Sequence, residues 1–144
     1  MKIRTRATSA FGALAALAII VPISATSSAT DWRRTTEAHG TLAGRDVSLS
    51  VEHIGTNFEV DVLLLDPRVN DYDDLTVDVH APGRPDEHLE AQLAKRFNHE
   101  IYGMRTSTTY VDVGMDERRA VSVDLTWTKG GMLVGRTTVT ADAI

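Results

Sequence analysis

The chain has 144 residues and no cysteine, with 20 acidic against 15 basic residues and a net charge of −5. The missing thiol excludes cysteine nucleophiles, disulfide exchange and cysteine-ligated zinc. The acidic balance disfavours phosphate-rich partners, both nucleic acid and anionic lipid.

Residues 1–29 read as a secretory signal. Lys2, Arg4 and Arg6 form a basic start, and the uncharged stretch AFGALAALAIIVPI follows at 10–23. That stretch is shorter than the roughly 20 apolar residues a transmembrane helix needs. Pro22 and the small residues SATSSAT then suit a signal peptidase, with cleavage after Ala25 or Ala29. The expected location is secreted and extracellular, with no membrane attachment after signal cleavage. Residues 30–144 keep all 20 acids but lose three of the 15 basic residues, which leaves a net charge of −8. Their length suits a single β-rich domain with one core. The acidity either keeps that domain soluble or suits a cationic or extracellular protein partner.

From residue 35 onward the hydrophobic pattern is mostly period two, the signature of half-buried strands. TTEAHGTLA (35–43) is a weak first strand. In 46–54, Val47, Leu49 and Val51 face one way while Ser48, Ser50 and Glu52 face the other. Gly55, Thr56 and Asn57 turn the chain into 58–66, where Phe58, Val60, Val62 and Leu64 share a face with Glu59 and Asp61 opposite, so the two strands form a hairpin.

VNDYDDL (69–75) comes next, with Asn70, Asp71, Asp73 and Asp74 crowded together and Asp66 just upstream. Its oxygens suit either an irregular calcium loop or a solvated turn in which Asn and Asp bond to their own backbone. It is not an EF-hand loop. The required glycine is missing, and the twelfth position counted from Asp66 is Val77. The next strand, 75–81, alternates Leu75, Val77 and Val79 with Thr76, Asp78 and His80. It ends at PGRP (82–85), because proline cannot join a ladder.

The period then changes. In DEHLEAQLAKRF (86–97), Leu89, Leu93 and Phe97 recur at every fourth position, which predicts a helix packed on the sheet by that stripe. Asp86 suits its N-cap, and Lys95 and Arg96 suit its last turn. Strands resume at 105–113, turn at 114–118, and continue through 120–127 and 132–141, with Lys129-Gly130-Gly131 as a second hairpin turn.

The expected fold is mainly β: an antiparallel β-sandwich of about seven strands, with one helix (86–97) between strands four and five. The alternative is an α+β arrangement, with a curved antiparallel sheet packed on that helix.

Catalytic signatures are missing: the sequence has no G-x-S-x-G, no H-E-x-x-H, no phosphate-binding glycine loop and no dinucleotide fingerprint. His39, His53, His80, His88 and His99 are all too far apart in sequence to pair on one strand or helix turn. No catalytic residue, metal ligand or cofactor is assigned. The outward positions Glu52, Glu59, Asp61, Asp78, Asp112 and Asp124 make an acidic surface. Either a cationic partner or the chain's own Arg45, Arg105 and Arg136 would relieve its repulsion.

The leading expectation is a secreted, non-catalytic β-domain that binds a protein, a glycan or a small ligand through the loops 65–74, 81–86 or 114–119. One alternative is an inhibitor of an exported hydrolase that presents Arg84 from the stiff 80–87 loop. Another is a small secreted hydrolase in which Asp78, His80 or His99 converge in a cleft.

Overall fold

The computed structural model describes residues 33–111 and 120–142. The expected signal segment 1–29 and the expected turn 114–118 lie outside the described residues. Nine strands occur among those residues: β1 (Arg33–Leu42), β2 (Arg45–Ile54), β3 (Asn57–Leu65), β4 (Asp73–His80), β5 (Glu87–Glu90), β6 (Gln92–Lys95), β7 (Ile101–Tyr110), β8 (Val121–Lys129) and β9 (Met132–Ala141). They form two sheets, one in the order β1-β2-β3-β7-β6 and the other β5-β4-β8-β9. Every pairing is antiparallel. The molecule is a β-sandwich, as the alternation predicts.

The alternation explains the core directly. Val47, Leu49 and Val51 of β2, Val60, Val62 and Leu64 of β3, Leu75, Val77 and Val79 of β4, and Val123 and Leu125 of β8 are all within 2 % of complete burial. β-Branched residues stand well on a pleated surface, and the facing sheets interdigitate them in one cluster. Burying each such side chain contributes roughly 1.5–3 kcal/mol.

The two sheets are joined along one side by a strand that changes sheets. β5 pairs with β4, and β6 continues from it to pair with β7. At the crossover the Ala91 amide donates to the Leu75 carbonyl at 2.9 Å. Along the other side, the edges of β1 and β9 meet. A Cβ on Gly40 would come within 2.9 Å of Val139 Cγ2, so the glycine permits that approach. Gly103 of β7 is tighter still, since an added Cβ would collide with the Leu64 carbonyl oxygen.

The helix expected over 86–97 is not formed, and the α+β alternative that depended on it goes with it: the described residues contain no helix. The reason lies in the same residues. Leu89, Ala91 and Leu93 also recur with period two, and these three pack partly buried against the core. A helix of a dozen residues is marginal without tertiary support. Here the tertiary demand is for strands, because β4 and β7 each need a neighbour on this side. Phe97, expected to anchor the helix, is 103 % exposed at the tip of the β6–β7 hairpin.

Candidate functional site

The topology gathers two sets of loops at opposite ends of the sandwich. One end carries the β1–β2 turn, the 66–72 loop, the β6–β7 tip and the β8–β9 turn. The other carries the β2–β3 turn, the 81–86 loop and the end of β7.

At the first end, the acidic loop is turned toward protein donors. Asp66 is buried and accepts from the Arg68 amide at 3.0 Å, with Arg68 Nε at 3.2 Å and Arg45 Nε at 3.1 Å. Asp73 is buried as well. Its carboxylate takes the Asn70 amide, the Trp127 indole N–H and Lys129 Nζ, each at 2.8 Å. Burial pushes the Asp73 carboxyl up. The Lys129, Asn70 and Trp127 donors more than offset this and hold it below the usual carboxylate range. Asn70 Oδ1 accepts the Tyr72 amide at 2.9 Å, the backbone bond expected of a solvated turn. Asp71 and Asp74 are exposed. No group of three His, Asp or Glu residues suited to a metal ion occurs among the described residues.

This bracing presents apolar side chains to water. The Gly130 amide donates to the Tyr72 carbonyl at 2.8 Å, which ties the loop to the β8–β9 turn. Tyr72 is 72 % exposed, Met132 74 % and Leu133 59 %. The register of β8 and β9 slips after Trp127, so Val134 bulges out of the ladder. Of the eight large hydrophobic side chains exposed among the described residues, six lie at this end: Leu65, Tyr72, Phe97, Met132, Leu133 and Val134.

At the opposite end the aromatics are covered. His53, Phe58 and Tyr110 stack across β2, β3 and β7, with centroids 5.3 and 4.8 Å apart. Burial pushes the Tyr110 hydroxyl up to about 12, helped by the Glu87 carboxylate nearby. The hydroxyl makes no well-formed hydrogen bond, so Glu87, which accepts from Thr108 at 2.8 Å, acts on it through charge. Arg84 bends back over this end and donates from Nη2 to the Val111 carbonyl at 2.9 Å. The side chain singled out for inhibitor presentation is therefore half-buried and directed at the sandwich.

The outward face of the β5-β4-β8-β9 sheet holds the titratable residues. One cross-strand row runs His88, Asp78, Asp124, Thr138. His88 Nδ1 lies 2.6 Å from Asp78 Oδ1, and Thr138 donates to Asp124 at 2.5 Å. His80, one row further, has Asp86 2.9 Å from Nδ1 and Asp124 2.7 Å from Nε2. The Asp86 and Asp124 hydrogen bonds raise the His80 pKa, whereas Thr138 and then His80 hold Asp124 low. An imidazole engaged by carboxylates at both nitrogens offers no lone pair to a substrate proton. His99 sits in the β6–β7 turn, at the far end from His80. The three residues considered for a hydrolase do not converge. Beside Asp78 and Asp124 there is only an open depression, shared with Thr126, Arg136 and Thr138.

The rest of the acidic surface divides between the sheets. Glu52 and Glu59 face each other in the first hairpin. Arg105 clasps Asp61 with two hydrogen bonds of 2.9 and 2.8 Å, so the chain relieves that charge itself. Asp112 and the 114–119 loop lie outside the described residues.

The apolar tip was missed in the sequence, although a signal was present. Met132, Leu133 and Val134 are consecutive, and three consecutive residues of a strand cannot all face one core. Comparison with protein-family models, with curated proteins and with solved structures yields no match.

Proposed function

We propose that the chain is an exported, non-catalytic β-sandwich that binds another protein through the end displaying Tyr72, Phe97, Met132 and Leu133. The observation that carries this reading is the concentration of exposed large hydrophobics at one end of the molecule. Leaving large apolar side chains in water is unfavourable, and their concentration in one region of the surface favours an interaction role. Aromatic residues, Met and Arg are the types enriched in protein interfaces, and Arg68 and Arg96 flank the tip with exposed side chains. The anchors sit on a braced loop and two hairpin turns, which lowers the ordering cost of association.

The test is affinity capture from culture medium and envelope with the tagged full chain, beside a triple variant with Tyr72→Ser, Met132→Ser and Leu133→Ser. A protein retained by the wild type and lost by an equally stable variant supports the reading. Identical captures by both, or no specific capture at all, overturn it. Export is checked separately by intact mass, which should show loss of residues 1–25 or 1–29. A retained Met1 would contradict it.

A further inference from the structure

We propose that His80 is the pin of a pH-operated latch that holds the 81–86 loop over the covered aromatic end of the sandwich. The loop has three attachments. The Arg84 amide donates to the Ala81 carbonyl at 3.2 Å and closes a turn in which Gly83 takes a positive φ of 73°. The Arg84 guanidinium reaches the Val111 carbonyl, and Asp86 meets His80 Nδ1 at 2.9 Å. Of these, only the His80 contact depends on a group that titrates near neutrality.

His80 can donate from both ring nitrogens only as the imidazolium. When the proton leaves, one nitrogen keeps its N–H and the other turns a lone pair toward a carboxylate, so one of the two contacts must fail. The asymmetry of the partners decides which. Asp124 lies on β8, is held by the Thr138 hydroxyl and is half-buried; Asp86 is on the loop and 70 % exposed. The neutral imidazole therefore keeps Asp124 and releases Asp86, and the loop's hold on the sheet weakens.

The surrounding charges do not cancel this. From its own strand His80 meets Asp78, which is occupied by His88 of β5. β8 opposes it with Ser122, β9 adds the neutral Thr138 and Thr140, and β5 adds His88 on the same face, while Glu87, opposite the buried Val79, turns to the inner side. Of the cations near this site, Arg84, from the loop itself, reaches toward Val111, and Arg136 of β9 borders Asp78 and Asp124. The hydrogen bonds to Asp86 and Asp124 raise the His80 pKa above its ordinary 6.5, so the latch is closed below 6.5 and opens as pH rises through the folded value. What it covers is Tyr110 and, beneath it, Phe58.

The experiment follows the His80 ring by NMR while amide exchange is measured at Arg84, each rate divided by its intrinsic value. In the wild type, protection at Arg84 should fall several-fold as pH passes the ring's own midpoint, which lies above the ordinary 6.5. In Asp86→Asn the ring's midpoint should drop and the protection step should vanish. His80→Gln should give weak, pH-independent protection. Both variants alter surface groups, and thermal melting checks that they stay folded. A flat protection profile in the wild type, or a step that persists unchanged in Asp86→Asn, overturns the latch.

Discussion

The two ends of the sandwich use the same device, an aspartate gripping a cation beside a loop, with opposite results. At the tip end Asp66 and Asp73 are buried, and their partners, Arg45, Arg68 and Lys129, are cations that keep their charge near neutral pH. The loop they hold is fixed, and it displays Tyr72. At the covered end Asp86 is exposed and its partner is a histidine, so the loop it holds is conditional and lies over Tyr110. Burial of the carboxylate and the titration range of the cation decide whether such a contact acts as a brace or a latch.

The largest blow to the braced end should come from Gly103→Ala, which drives a methyl group into the Leu64 carbonyl beside Leu65. Denaturant unfolding should show a loss of about 3–4 kcal/mol. A loss under about 1 kcal/mol would mean that β7 shifts easily and the end is not rigid. Asp73→Ala comes next. It strands the Trp127 indole N–H and Lys129, and should cost about 2–3 kcal/mol by the same measurement.

The two aspartate contacts should also separate by pH. The folded Asp73 pKa lies below the ordinary 3.8. Its contribution is therefore present above that value and lost as pH falls through the folded pKa. The folded His80 pKa lies above 6.5, so its contribution is complete below 6.5 and lost as pH rises through the folded value. His80→Gln should thus cost about 0.5–1 kcal/mol at acidic pH and almost nothing at alkaline pH, the small size reflecting a solvent-screened pair. Melting curves across pH that ran parallel for variant and wild type would remove the distinction. The smallest effect belongs to Phe97→Ala, expected within about 0.5 kcal/mol for a side chain that touches nothing in the core. If that variant proved strongly destabilising, Phe97 would have to be packed and the tip would lose one of its anchors.

The strands were legible because Val47-Leu49-Val51 and Val121-Val123-Leu125 leave no other period open. The segment 86–97 was not, since Leu89, Ala91 and Leu93 satisfy a strand as well as Leu89, Leu93 and Phe97 satisfy a helix. Only the unfilled places beside β4 and β7 settle it, and those are properties of the fold. The outward acids were legible as outward. Their partners were not, because His80 meets Asp124 through a register between β4 and β8 separated by 44 residues of chain. The same holds for VNDYDDL. Its turn chemistry was readable from Asn70, but the indole and lysine that occupy Asp73 come from β8.

The meeting of β1 with β9 has a consequence for how the chain reaches this state. The first described strand has its free flank covered by the last, with Gly40 against Val139. Most of the core is therefore in place before that flank can be shielded, and the shielding waits until β9 has emerged during synthesis. Contacts so distant in sequence make for slow acquisition of the native state, slower than a hairpin-by-hairpin order alone would imply.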